Sequence, residues 1–323
     1  MQELPYQEVK EKIDYADSVT ILSHLNPDAD TLGTALGIYA LLSKDKSKRV
    51  EVVNASNTLP VYLDFLPGFH KIKSRMKYMS SLIITCDGGS IDRFGFDLEG
   101  RDIINIDHHQ SNTYYGKINV VVADDASASQ VAYRVFKEIF EIEADAATCF
   151  YTALFSDTRY FTTNSVNKEV FSIATSLVEA GAKPDTIAYN LTQRRSLASV
   201  RILQKALHSL SFSNDAQIAT LSVSRSDIIA SGARMVDMED IVEYARSLAT
   251  VEIAVFAMEL EEGVRISLRS KEVDVSKVAS AFGGGGHKVA AGFTLKQGGV
   301  QESIDTILEK IRVLNLLAKS KVR

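Results

Sequence analysis

Cysteine is scarce in this chain. Cys86 and Cys149 are the only two in 323 residues, and both lie in apolar segments without paired spacing. A disulfide framework is thereby excluded, and the reading is two buried free thiols in a reducing compartment. Basic residues are not in excess either: 36 Lys and Arg stand against 41 Asp and Glu, for a net charge of −5. Such a chain carries no overall positive field to draw in long nucleic acid, although a basic groove on an acidic protein is compatible with this balance. No apolar run approaches the length of a membrane span, and Met1-Gln2-Glu3-Leu4-Pro5 lacks the pattern of a secretory leader. The expectation is a soluble, cytoplasmic protein with no membrane partner. There is no internal repeat and no low-complexity tail, which excludes a repeat array. What is plentiful is core-forming material: 46% of residues are hydrophobic, ample for ordinary cores, and the length favours two domains.

One stretch organises the chain: Ser23-His24-Leu25-Asn26-Pro27-Asp28-Ala29-Asp30-Thr31-Leu32-Gly33. Before it, Ser18 to Leu22 is apolar and β-branched, the pattern of a buried strand. After it, apolar residues recur at helical spacing from Gly33 to Leu42, with Asp30 or Thr31 expected as the cap. His24, Asp28 and Asp30 are thus predicted on a strand-to-helix loop, at the carboxyl end of a strand, where open α/β sheets place their ligands. An imidazole and two carboxylates around a stiffening proline suit a divalent cation.

Three further segments supply the same kind of group. Leu82 to Asp87 reads as a buried strand ending on a carboxylate, and Asp102 to His109 as another ending in Asp107-His108-His109. Ala153 to Thr158 places Asp157 at the end of an apolar segment. Singly, each has a bland explanation, because aspartates cap helices and histidines pack. Together they do not. Asp28, Asp30, Asp87 and Asp157, with His24 and His108, fall at segment ends that one sheet edge gathers. Gathered without a cation, these carboxylates would repel one another and raise their own pKa values, and a metal pair removes that conflict. His-x-Asn-Pro-Asp-x-Asp, a strand-terminal Asp, Asp-His-His and Ser-Asp-Thr, in this order, resemble the four motifs of the DHH phosphoesterase superfamily.

In chain order, helical and strand patterns alternate through the first half: a helix at Tyr6 to Ala16, strands at 50–54 and 118–122, helices at about 127–141 and 146–156. This argues for an α/β fold with a doubly wound, mostly parallel sheet. From about 167 to 210 the pattern is helical. Strands then restart at 216–223, 251–260 and 263–270, with a helix at about 239–248 and a terminal amphipathic helix at about 301–318. The domains are read as 1–190, a helical linker at 191–211, and a second, smaller α/β domain at 212–323 across a cleft from the first.

Phe282-Gly283-Gly284-Gly285-Gly286-His287-Lys288 has two readings: a flexible hinge, or a backbone bare enough to approach a phosphate with His287 adding a donor. It matches the glycine-rich signature of the DHH-associated domain, DHHA1. Arg265 and Arg269 alternate on one strand and so share a face. His70 and His208, without acidic or histidine neighbours, are read as structural. Ser127 and Ser129 open a helix, as caps or as the rim of an anion site. Arg159 stands where a small residue is expected after Ser-Asp-Thr.

The resemblance spans almost the whole chain, and its size and ending are similar to the short oligoribonuclease, or nanoRNase, branch. It implies two divalent ions, Mn²⁺ first with Mg²⁺ or Co²⁺ as alternatives, held by His24, Asp28, Asp30, Asp87, His108 and Asp157, with Asp87 as the bridge. It implies hydroxide attack in line with the leaving group, Asp107 orienting a neighbouring histidine, and His109 contacting the phosphate or protonating the leaving group. Asn112, Arg269, Gly284, Gly285, Gly286 and His287 are implied as substrate contacts. The implied substrates are short single-stranded RNA and 3′-phosphoadenosine 5′-phosphate (pAp), not long duplexes, and a homodimer is left open. The alternatives are a soluble phosphodiesterase acting on cyclic or linear dinucleotides and, from another class, a nucleotide sensor without turnover.

Overall fold

The computed structural model describes residues 4–238 and 240–317. The first residue of the helix expected at 239–248 and the last of that expected at 301–318 lie outside them, as do 1–3 and 319–323. The chain divides into two compact units, Met1–Arg194 and Arg195–Arg323.

The first unit runs α1 (Tyr6–Tyr15), β1 (Ser18–Ser23), α2 (Ala29–Leu42), β2 (Arg49–Val53), β3 (Leu82–Cys86), β4 (Ile103–Asp107), β5 (Ile118–Val121), α3 (Ala128–Phe136), α4 (Ala144–Asp157), α5 (Lys168–Glu179) and α6 (Pro184–Thr192). The five strands lie in the order β2-β1-β3-β4-β5, and every pairing is parallel. The order reverses between β1 and β3, the switch point at which such sheets open a crevice beyond their carboxyl ends. The three central strands, β1, β3 and β4, are buried along their whole length because both faces are covered. Val19, Ile21, Ile84 and Ile104 join the helical side of the core. Their neighbours Leu22, Ile83 and Ile103 point the other way, onto Phe94 and Leu98. That second face is closed by a segment built on a short 3₁₀ turn, Ile91–Phe94.

Two details of the helices set up the site. The cap of α2 is Asp28, not Asp30 or Thr31. Its Oδ1 accepts the Asp30 and Thr31 N–H groups at 3.0 and 3.1 Å, so the helix begins four residues before Gly33. Gly33 and Gly37 then let α4 approach. A Cβ at Gly33 would stand 2.6 Å from the Cys149 carbonyl oxygen, and one at Gly37 would stand 2.4 Å from the Phe150 ring. The close crossing of α2 and α4 carries Asp157, the last residue of α4, toward the start of α2.

The second unit comprises α7 (Leu197–His208), β6 (Ser211–Ser213), β7 (Ile218–Val223), α8 (Arg225–Ser231), α9 (Ile241–Arg246), β8 (Ile253–Leu260), β9 (Gly263–Ser270), α10 (Ser276–Ala281), β10 (Gly285–His287), β11 (Ala290–Leu295) and α11 (Val300–Val313). Its mixed sheet has the order β10-β11-β9-β8-β7-β6, with β7 and β8 parallel. Alternate residues feed two cores: Val255, Ile266 and Leu268 pack with α10 and α11, and Leu221, Ala254 and Phe256 with α7 and α9. The glycine run is neither hinge nor open loop at its end. Gly285, Gly286 and His287 form an edge strand, paired antiparallel with Gly292, Ala291 and Ala290. Both cysteines are buried and free, as their apolar surroundings predict. Among the described residues no helix is long and apolar enough to cross a membrane.

Candidate metal centre

The carboxyl ends of β1, β3 and β4 and the C-terminus of α4 bring His24, Asp28, Asp30, Asp87, His108 and Asp157 together. Three overlapping groups result among the described residues, His24–Asp28–Asp87, Asp30–His108–Asp157 and Asp87–His108–His109, each with its ligand atoms within 4.8 Å of one another. Asp87 stands between His24 and His108. Its Oδ2 lies 3.4 Å from His24 Nε2 and its Oδ1 lies 3.5 Å from His108 Nε2. Asp28 caps α2 with one oxygen and keeps the other 3.9 Å from His24 Nε2. His108 Nε2 is also 3.8 Å from Asp30 and 3.6 Å from Asp157.

Both imidazoles are aimed from behind. His24 Nδ1 is 2.8 Å from the Leu25 carbonyl and His108 Nδ1 is 3.1 Å from the Asp125 carbonyl. A carbonyl can only accept, so a proton sits on Nδ1 and Nε2 is the ring atom turned toward the carboxylates. Asp125 is itself fixed by Arg134 at 2.9 and 3.0 Å. Asp30 meets the N-terminus of α3, where its carboxylate accepts the Ala128 and Ser129 N–H groups at 2.7 and 3.2 Å. The anion at this helix terminus is therefore the chain's own, and Ser127 serves as the cap, accepting Gln130 N–H at 3.1 Å. Thr31 ties the strand ends together, accepting His24 N–H and donating to the Cys86 carbonyl.

The electrostatics are those of crowded anions. Burial, reinforced by Asp30, Asp28, Asp157 and Asp107, pushes the Asp87 carboxyl well above the carboxylate range. Burial, then Asp30 and Asp28, does the same to Asp157. Asp30 is raised chiefly by burial as well. Asp87 Oδ1 is buried with no hydrogen-bond partner among the described residues, and its backbone is left-handed with φ 60°. Buried polar atoms are ordinarily satisfied, and an orphan calls for a partner of another kind. A cation meets that need, and a set of carboxylate oxygens with imidazole nitrogens is a donor set that divalent ions accept. The residues present form a site able to hold metal ions.

Asp107 and His109 form a pair at the edge of this cluster. His109 Nδ1 is 2.7 Å from Asp107 Oδ1, and Asp107 also accepts the Asn112 amide at 2.5 Å and the His108 N–H at 2.8 Å. Burial works against the charge on Asp107, but the hydrogen bond and charge of His109, with those two donors, hold it below its ordinary value. Asn112, read from the sequence as a substrate contact, is 7% exposed, and its carbonyl accepts from Asn105 and from the Tyr114 N–H.

In the second unit, Arg265, Arg269, Gly285, Gly286 and His287 line one cavity of about 570 Å³. Gly286 has φ 142°, and a Cβ there would meet the Ala290 carbonyl at 2.4 Å. Gly284 lies outside the lining, where a Cβ would meet Gly292 and Phe293. Arg269 donates from Nε to Glu243 at 3.1 Å.

Residues 18–154 match the DHH family, N-terminal domain, and residues 213–314 match the DHHA1 domain. The chain belongs to the DHH superfamily and has its DHH–DHHA1 arrangement. It is 28% identical over 299 residues to the bifunctional oligoribonuclease and PAP phosphatase NrnA of Thermus thermophilus, covering 91% of this chain and 89% of that protein. It is 22% identical to the protein of the same name from Bacillus subtilis, over 86% of this chain and 90% of the relative. The crystal structure of an exopolyphosphatase-related protein from Bacteroides fragilis superposes with a TM-score of 0.88 at 26% identity, covering 96% of each chain.

The carbonyls of Leu25 and Asp125, and the α3 N–H groups that hold Asp30, escaped sequence reasoning. Every residue has such groups, so nothing in the sequence marks the ones that matter.

Proposed function

We propose that this protein is a divalent-metal-dependent phosphoesterase that hydrolyses short oligoribonucleotides to mononucleotides and pAp to AMP. The observation that carries this reading is Asp87: one buried carboxylate offers a separate oxygen to each of two His–Asp groups, and one of those oxygens is an orphan. The names of relatives that match nearly end to end supply the substrate class.

His24, Asp28 and Asp87 would hold one cation, and Asp30, His108, Asp157 and the second oxygen of Asp87 the other. Mn²⁺ suits the mixed oxygen and imidazole donors, with Mg²⁺ or Co²⁺ as substitutes. Such a pair, when bound, supplies Lewis acidity toward phosphate oxygens and a water acidic enough to ionise near neutral pH. The Leu25 and Asp125 carbonyls keep both imidazoles in the ligating tautomer. Asp107 holds the His109 proton on Nδ1 in the resting state and stabilises the imidazolium when Nε2 is also protonated. Nε2 is thus the atom that donates a proton to the leaving-group oxygen. Asn112 keeps Asp107 in place. Arg269, Gly285, Gly286 and His287 bind the nucleotide through charge and bare backbone N–H groups.

The test is hydrolysis, with Mn²⁺, of pAp, of RNA of two, five and about twenty nucleotides, of cyclic-di-AMP and of pyrophosphate. Preference for pAp and the shortest RNAs is expected. Preference for the long strand, the cyclic dinucleotide or pyrophosphate would overturn the substrate assignment, and tight binding without turnover would make the protein a sensor.

A further inference from the structure

Lys71-Ile72-Lys73-Ser74-Arg75-Met76-Lys77 is a strongly basic stretch in a chain whose net charge is −5. Ile72 and Met76 turn inward, onto the cores on the two faces of the first unit's sheet. Lys71, Lys73, Arg75 and Lys77 are exposed. The segment lies along β2, an edge strand of that sheet. The Lys73 N–H donates to the Val52 carbonyl, and the Lys73 carbonyl accepts the Asn54 N–H, each at 2.9 Å.

These four cations, with Tyr39 and Tyr78, line a cavity of about 450 Å³, a volume in the range of ligand sites. The cavity shares no residue with the ligand set or with the cavity of the second unit. None of the four cations makes an ion pair among the described residues. Glu51 also lines the cavity, but its carboxylate is buried and engaged elsewhere. It accepts the Lys77 N–H at 3.0 and 3.1 Å, the Tyr78 N–H at 3.1 Å and the Thr20 hydroxyl at 2.9 Å. Glu51 thus fixes the backbone that carries the cations and leaves their heads to another anion. Arg49 and Lys77 each lie 5.4 Å from the centre of the Tyr78 ring, so charge and aromatic surface are gathered together. Protection of a sheet edge accounts for a charged segment on β2. It does not account for a cavity with two tyrosines in its wall.

We propose that this cavity is a second binding site, apart from the metal centre, for single-stranded nucleic acid. The cations take backbone phosphates and the tyrosine rings stack bases. Phosphate contacts and aromatic stacking are the two means by which proteins hold single strands without reading their sequence. Gathered cations repel one another, and a phosphate chain removes that conflict.

The test is fluorescence anisotropy of a labelled RNA of about twelve nucleotides with the full chain in EDTA, which reads binding without turnover. The triple variant Lys71→Ala/Lys73→Ala/Arg75→Ala is expected to weaken binding about tenfold or more. It is also expected to reduce the salt dependence of log K by about two, from three phosphate contacts at about 0.7 each. Tyr78→Ala is expected to weaken binding about fivefold or more. Unlabelled RNA is expected to displace the label better than inorganic polyphosphate of the same length. Because the three cations are exposed, the Tm of the triple variant is expected to stay within about 2 °C of the wild type, and its pAp turnover with Mn²⁺ to be unchanged. No binding by the wild type, or undiminished binding in the triple variant, overturns the proposal. Polyphosphate as effective as RNA, with Tyr78→Ala unimpaired, would make this a bare anion site and overturn the nucleic-acid assignment. Loss of pAp turnover at unchanged Tm would merge the cavity with the substrate site and overturn a separate one. If the wild type does not hydrolyse pAp, the phosphoesterase reading fails by itself, and the anisotropy still decides about the cavity.

Discussion

His109 presents Nδ1 to Asp107 Oδ1 at 2.7 Å, and the same nitrogen lies 3.5 Å from Asp87 Oδ1. Asp107 is a carboxylate held below its ordinary value, which fits the proposed pairing of an orienting anion with a proton carrier. Asp107→Asn keeps the shape but presents either an amide N–H or a weaker acceptor to Nδ1, so the imidazole loses its fixed tautomer. A loss of about 10–100-fold in kcat is expected, with KM little changed. Steady-state kinetics on pAp check this, and an undiminished kcat would remove His109 from proton transfer.

Asp87→Asn separates the catalytic from the structural role of the bridge. The substitution removes a buried carboxylate whose Oδ1 has no hydrogen-bond partner among the described residues. The metal-free variant is expected to be no less stable than the wild type, and up to about 1–3 kcal/mol more stable. Turnover is expected to disappear. Divalent metal is expected to raise the Tm of the wild type, by linkage worth about 2.7 kcal/mol at a hundredfold excess over Kd, and to leave the variant nearly unmoved. Calorimetry with and without Mn²⁺ reads both effects. Full activity in Asp87→Asn would sink the two-metal assignment.

The same crowding gives the metal-free protein an inverted response to pH. Asp87, Asp157 and Asp30 are raised in the folded state. Above the ordinary carboxylate pKa of about 4, the folded chain thus holds protons that the unfolded chain has released. Unfolding then releases protons, and stability falls as pH rises from about 4 toward the raised folded-state values. Asp107, being lowered, works the other way and loses its contribution only as pH falls below about 4. Chemical denaturation of the EDTA-treated protein between about pH 4.5 and 7.5 is expected to show declining stability, and Asp87→Asn to flatten the slope. A rise with pH would contradict the assignment of the buried cluster.

Arg269 and His287 line the cavity of the second unit and lie in a different unit from the ligand set. Arg269→Ala or His287→Ala is expected to raise KM about tenfold with kcat preserved, the signature of lost uniform binding. Glu243 keeps Arg246 as an ion-pair partner when Arg269 is removed, so the fold is expected to survive. An unchanged KM in both variants would show that the second unit does not bind substrate through this surface.

The sequence by itself marked the histidines and aspartates that the fold gathers, and their order. Each lies at the junction of an apolar run and a polar loop, and that junction is visible as a change in hydrophobic period. It also determined the parallel sheet, because strands covered on both faces are rich in apolar residues and buried along their whole length, as β1, β3 and β4 are. Tertiary structure decided the rest. Asp28, not its neighbours, caps α2, because only its side chain turns back onto the Asp30 and Thr31 N–H groups. Asp30 is held by α3, 98 residues away in sequence. The tautomers of His24 and His108 are set by the backbone carbonyls of Leu25 and Asp125, which no side-chain pattern reports. The glycine run ends as an edge strand because β11 supplies its hydrogen-bonding partner, and Arg159 owes its place beside Asp157 to a left-handed turn. These are pairings between groups that every residue has, and only the folded chain decides which of them meet.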